Sequence, residues 1–252
     1  MAEETSSNFG NSVSESLNLI VDGRMLSTRR NYAAIVGLYT EDFGNDHRHL
    51  VDFLDPMLTI VNGQNLSGPM IDLGSGPGNV VDYLLLKKGI TSDIFAVDFV
   101  SGFCRSLSEK YKNNPNVKVV NEEFVEFIAK QPNDSVVAYT AGFSIIHIPD
   151  DKIDDLFRDI TRTLKPGGLF FFSVYEGNDK GMAPEPYQED KDPRLDVISE
   201  RLEAYMNNFQ SSELGKRLER VGMKKVKLVV ANDGKPGEYS NSKIFGLFQK
   251  RV

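Results

Sequence analysis

Apolar positions along the chain switch between two spacings, and the switches mark its elements. Tyr32, Ile35, Val36 and Tyr39 recur at three- and four-residue steps, which predicts a helix from Ser27 with two phenols on one face. A second helix follows, with Leu50, Phe53, Leu54, Met57 and Leu58 on its stripe. Short, dense apolar runs then read as strands: Met70-Ile71 leading into Asp72, Ile94 to Asp98, Val117 to Val120, Ser135 to Tyr139, and Leu169 to Val174. Helical patterns separate most of them, beginning at Val80, at Ser101 and at Lys152, the last carrying Ile153, Leu156, Phe157 and Ile160 on one face. Strands alternating with helices predict a parallel sheet covered on both faces.

The C-terminal third departs from that rhythm. From 176 to 193 Gly, Pro, Asp and Glu dominate, and Leu195, Ile198, Leu202, Tyr205 and Met206 then predict another helix. A last helix is expected over 211–221, and two strands, at 226–230 and 243–248, flank Asn232 to Gly237 as an antiparallel pair. The expected fold is therefore α/β, a Rossmann-like, doubly wound and mostly parallel sheet of seven strands with an antiparallel last strand. Residues 1–26 are rich in Ser, Asn and Glu and are expected to form a mobile tail.

The chemistry concentrates at the end of the first strand. Asp72 is followed by Gly74, Gly76 and Gly78, and a helical pattern starts at once. Glycines suit a chain that reverses at positive φ and lets a ligand touch bare backbone, and the helix start directs unpaired N–H groups at that ligand. The nicotinamide fingerprint Gly-x-Gly-x-x-Gly would need a glycine at Asn79. Asp98 ends the second strand 26 residues after Asp72, close to the interval of about 20 at which an acid meets a ribose in dinucleotide folds.

Ile71-Asp72-Leu73-Gly74-Ser75-Gly76-Pro77-Gly78 is similar to motif I of the class I S-adenosylmethionine-dependent methyltransferases. Ala96-Val97-Asp98, Val120-Asn121-Glu122 and Leu164-Lys165-Pro166-Gly167-Gly168 continue the resemblance in the family's order. It implies S-adenosylmethionine as cofactor, with Asp72 on its amino group, Gly74, Ser75, Gly76 and Gly78 giving backbone access, and Asp98 on the ribose. Phe99 would stack near the adenine, and Glu122, or Glu123 beside it, would take the adenine amino group. Tyr39 would put its hydroxyl on the cofactor or the acceptor, or only pack the lid onto the core, and Thr140 completes the implied cofactor set. The helices of 27–66 would form a lid on a catalytic domain of 67–252, whose insertion at 176–210 would cover the acceptor.

The loop after the fourth strand, Thr140 to Pro149, lacks the Asn/Asp-Pro-Pro-Tyr/Phe of amino-group methyltransferases, a catalytic cysteine, and carboxylates for a metal. No metal is expected. What remains resembles the small-molecule enzymes, with His147 as a candidate base for an acceptor hydroxyl and oxygen favoured over nitrogen.

Composition narrows the partners. A formal charge of −7 disfavours nucleic acid, which is held through Lys and Arg on phosphates. Cys104 is the only cysteine, the N-terminus lacks a secretory pattern and no apolar run approaches a membrane span, so a cytoplasmic protein without membrane contact is expected. Competing readings are aminopropyl transfer or a nicotinamide-linked oxidoreductase on the same fold, a non-catalytic binding or regulatory protein, and a methyltransferase of protein or RNA. The oligomeric state is not legible in the sequence.

Overall fold

The computed structural model describes residues 22–196 and 198–252. Its central sheet has seven strands, β1 (Met70–Leu73), β2 (Ile94–Asp98), β3 (Val117–Asn121), β4 (Val136–Gly142), β5 (Leu164–Tyr175), β8 (Met223–Asn232) and β9 (Ser242–Lys250), in the order β3-β2-β1-β4-β5-β9-β8. All neighbours pair in parallel except β9, which runs antiparallel to both β5 and β8. The crossovers are α3 (Asn79–Asp82, continued by a π-helical turn Tyr83–Lys87), α4 (Ser101–Lys110), α5 (Phe124–Ala129) and α6 (Asp150–Thr163), and α8 (Ser211–Arg220) leads into β8. Strands β4 and β5 are buried on both faces, as their unbroken apolar runs require, and Phe170, Phe171 and Phe172 divide between the two cores.

Strand order reverses between β1 and β4, so the connections leaving these two strands part and open a crevice at the carboxyl edge. Asp72 pairs in register with Thr140 across that division. Over the crevice lies α1 (Gly23–Phe43), followed by α2 (Leu50–Gly63), which packs Phe53 against Phe171 and Phe245. Leu195 and Leu202 pack with Ile35, Leu38 and Phe43 of α1.

Three expectations change. Helix α1 begins at Gly23, capped by the Asp22 side chain accepting from the Arg24 N–H, so residues 23–26 belong to it and not to a tail; residues 1–21 lie outside the described part. Strand β4 continues through Thr140, Ala141 and Gly142 before the chain leaves the sheet. In place of the helix expected over 195–206, a 3-10 turn (Pro193–Leu195) is followed by β7 (Glu203–Asn207), which pairs antiparallel with β6 (Lys180–Pro184), and a short α7 (Pro186–Glu189) lies between β6 and that turn. Consecutive Tyr205 and Met206 are both buried because β7 is enclosed on two sides, and pairing with β6 overrides an accidental helical spacing.

Candidate functional site

The loop after β1 is built on left-handed glycines. Gly74, with φ +67°, turns the chain so close to the β4 connection that a Cβ there would sit 2.4 Å from Ser144 Cβ. Gly76, with φ +49°, would point its Cβ into open space, which leaves its peptide bare toward the cavity. Gly78 lies off the cavity wall: its Cβ would meet Leu107 Cδ2 at 2.6 Å, so this glycine fits the start of α3 against α4 rather than a ligand.

Three acids converge on this loop from successive strand ends. Asp98 is 4% exposed; its Oδ2 accepts from the Gly76 N–H and its Oδ1 from the Val100 N–H, both at 2.8 Å. Each carboxylate oxygen keeps a second lone pair for a hydroxyl donor. Burial lifts this carboxyl to about 6. Asp72, equally buried, is also pushed up to about 6, with Thr140 Oγ1 donating to its Oδ1 at 2.7 Å and opposing that shift. Thr140 therefore braces Asp72 and does not face the cavity, and the Ser75 hydroxyl, on the wall itself, donates to the Asp72 carbonyl at 3.0 Å. Glu123 stands on the cavity wall with Asp98 and Phe99, raised by burial to about 7. Its neighbour Glu122 turns away to an ion pair with Lys130. The structure thus gathers Asp72, Gly74, Ser75, Gly76, Asp98, Phe99 and Glu123, and leaves Gly78, Glu122 and Thr140 outside.

Helix α1 closes this cavity from above. Tyr32 and Tyr39, 5.5 Å apart edge to face, line it together with Met25 and Thr28. His147 lies beneath Tyr32. A carbonyl only accepts, so the 2.8 Å contact between His147 Nδ1 and the Tyr205 carbonyl fixes the proton on Nδ1 and leaves Nε2 to accept from the Tyr32 hydroxyl at 3.1 Å. Burial holds the imidazole down at about 4, hence neutral near pH 7. The imidazole lines the cavity, but its one accepting nitrogen is already engaged by the Tyr32 hydroxyl.

A second chamber adjoins the first, sharing Tyr32, Tyr39, Gly74, Gly76 and Phe143 with it. Its far wall comes from segments without motifs: Glu185 at the start of α7, Tyr175 at the end of β5, and Tyr239 and Lys243 around the turn before β9. Arg48 bonds Asp46 at 2.7 Å and Glu238 at 3.0 Å, and the buried Lys243 bonds Glu238 at 2.8 Å. Sequence reasoning missed Glu185 and Tyr239. The only signal for Glu185 was the acidic, proline-containing composition of the insertion, which does not single out one carboxylate, and Tyr239, in the turn before β9, carried none. Among the described residues no group of three or more His, Cys, Asp or Glu is placed to hold a metal ion, and no described helix is long and apolar enough to cross a membrane.

Residues 70–168, which contain the loop, the three acids and His147, match the family model of a methyltransferase domain. Over that stretch the chain is similar to a methyltransferase domain. Solved structures extend the likeness over nearly the whole fold. DhpI in complex with SAH superposes with a TM-score of 0.61 at 17% identity, covering 91% of this chain and 98% of that one. The Burkholderia thailandensis 1,6-didemethyltoxoflavin-N1-methyltransferase, with 1,6-didemethyltoxoflavin and S-adenosylhomocysteine bound, gives 0.56 at 15% identity over 89% and 91%. The [4+2]-cyclase SpnF gives 0.61 at 13% over 89% and 96%. No curated protein matches the sequence. Such identities establish a shared fold, while chemistry has to be argued from the site.

Proposed function

We propose that this methyltransferase domain binds S-adenosylmethionine in the cavity under α1 and passes its methyl group to a small organic acceptor in the adjoining chamber. The observation that carries this reading is the junction at Gly74 and Gly76: backbone without side chains, open at Gly76, lies between a cavity walled by Asp98, Phe99 and Glu123 and a chamber reached by Asp72 and Ser75. The residues fit the cofactor's parts. Asp98 offers lone pairs to two ribose hydroxyls, Phe99 a ring for the adenine, Glu123 an acceptor for its amino group, and Asp72 a buried charge for the methionine ammonium.

The cofactor supplies an activated methyl on a sulfonium. The protein's part is to hold the acceptor in line with it and to exclude water. In this reading α1 is the lid, with Tyr32 and Tyr39 facing both halves, and the insertion at 176–210 is the cover that supplies Glu185. A preference for oxygen as the methylated atom rested on His147 as a direct base. Its one free nitrogen is taken by Tyr32, so that preference is not carried further.

The neighbour named as a cyclase favours a second reading, in which the same cradle serves another reaction or binding alone. Isothermal titration with S-adenosylmethionine and S-adenosylhomocysteine, followed by transfer of radiolabelled methyl to small acceptors, separates the readings. Saturable binding with label transfer is expected. Binding without transfer to any small molecule, protein or RNA supports the second reading, and absence of heat with either compound rejects the cofactor assignment.

A further inference from the structure

Two acids on the chamber wall, Asp72 and Glu185, have no positive partner among the described residues, and only Asp72 is given to the cofactor. Glu185 is 1% exposed, yet it faces the chamber. Its Oε2 accepts from Asn31 Nδ2 at 2.5 Å and from the Tyr239 hydroxyl at 3.1 Å, and its Oε1 from the Tyr187 N–H at 3.4 Å. All three donors are neutral. The other lining acids, apart from the Asp72 given to the cofactor, are matched: Asp46 by Arg48 and Lys235, Glu238 by Arg48 and Lys243. A buried carboxylate without a counter-charge is costly, and a ligand that brings a positive charge removes the cost.

The rest of the chamber suits such a ligand. Tyr32, Tyr39, Tyr175 and Tyr239 line it with Glu185, and Tyr175 and Tyr239 stand 6.4 Å apart. Aromatic faces attract cations within about 6 Å, most strongly where water is excluded. Burial keeps each of these phenols above its ordinary value, so none competes as an anion.

We propose that the acceptor is an amine, received as its ammonium form against Glu185 inside this ring of phenols. The inference rests on the methyltransferase reading above and specifies its substrate class. The ammonium passes one proton to the Glu185 carboxylate, which frees the nitrogen lone pair. That pair forms the N–C bond as the methyl–sulfur bond breaks with its electrons going to sulfur; the product leaves as a methylated ammonium, and Glu185 gives its proton to solvent before the next acceptor enters. An alcohol of the same shape brings no charge to balance the acid.

The test uses the full chain saturated with S-adenosylhomocysteine and calorimetric titration with propylamine, benzylamine and 2-phenylethylamine, each beside its isosteric alcohol. At least one amine is expected to bind ten-fold or more tightly than its alcohol, and Glu185→Gln to erase the preference. No amine exceeding its alcohol, or a preference that survives Glu185→Gln, overturns the proposal. The comparison within the unaltered protein stands even if the variant fails to fold. A Glu185→Gln protein that loses affinity for S-adenosylmethionine but not for S-adenosylhomocysteine also overturns it, because Glu185 would then be answering the sulfonium charge. Failure of S-adenosylhomocysteine to bind the unaltered chain would instead strike the cofactor reading beneath it.

Discussion

The cofactor cavity and the acceptor chamber share a wall but are built in opposite ways. Apart from the part that α1 closes, the cavity takes Gly74, Gly76, Asp98 and Glu123 from three successive strand ends, each placed by backbone geometry inside residues 70–168. The chamber takes Tyr32, Glu185, Tyr239 and Lys243 from a helix before the domain, an inserted sheet and the turn before β9, which meet only once the chain is folded. A ligand common to a fold is met by main-chain shape, whereas a ligand peculiar to one protein is met by side chains on its additions.

The sharpest way to break that contrast is at Gly74. Gly74→Val forces a branched residue into a left-handed conformation and against Ser144, and about 1–2 kcal/mol of backbone strain adds to a steric cost of about 1–3 kcal/mol. Thermal unfolding should show a marked fall in Tm together with loss of cofactor binding. Gly76→Ala supplies the contrast, since its methyl meets nothing in the protein: stability should fall by the strain alone, with cofactor affinity lost in titration. A Gly76→Ala protein that binds the cofactor normally would take the bare peptide out of the site.

Next in size is Asp98→Ala, which removes a charged acceptor worth about 1.5–3 kcal/mol, roughly 10- to 150-fold in affinity, and strands the Gly76 and Val100 N–H groups. Acidification should act through the same carboxyls. Asp72 and Asp98 sit at about 6, above the ordinary value, so the empty protein holds these protons more tightly than the unfolded chain and their contribution to stability falls as pH rises from about 4 to 6. His147 works the other way: held at about 4, it contributes stability above 6.5 that is lost as pH falls through 4. Cofactor binding needs the anions, so affinity measured by calorimetry should weaken below pH 6 by about ten-fold per unit for each carboxylate required.

How far the sequence discloses these regions follows from the same contrast. Motif I, Asp98 and the parallel strands are legible because their constraint is local: a glycine turn at a strand end and an acid at the next one. Glu122 and Glu123 are adjacent, and only the turn into α5 decides that Glu123 faces inward while Glu122 meets Lys130. Thr140 is conspicuous in sequence as the first residue of the expected loop, but β4 runs past it and its hydroxyl is spent on Asp72. The inserted sheet is illegible because Leu195, Ile198, Leu202 and Tyr205 keep a helical spacing that is overruled by β6 and by burial against α1.

Smaller effects refine the boundary between the regions. Tyr32→Phe and His147→Ala remove two halves of one hydrogen bond, so each should lower turnover similarly, with the double variant no worse than the weaker single and cofactor affinity little changed. Additive losses would mean that His147 acts independently of Tyr32. Smallest of all, Glu122→Ala breaks an exposed ion pair and should change cofactor affinity less than three-fold, about 0.6 kcal/mol, while Glu123→Ala weakens it clearly.

The most direct test of the central claim is a crystal structure of the chain with S-adenosylhomocysteine. The account predicts both ribose hydroxyls on Asp98, the adenine beside Phe99 and Glu123, and the sulfur over Gly74 and Gly76 facing Tyr32 and Tyr39. Density for the nucleoside anywhere else, or a cradle at Gly76 that stays closed to it at saturating concentration, would contradict it.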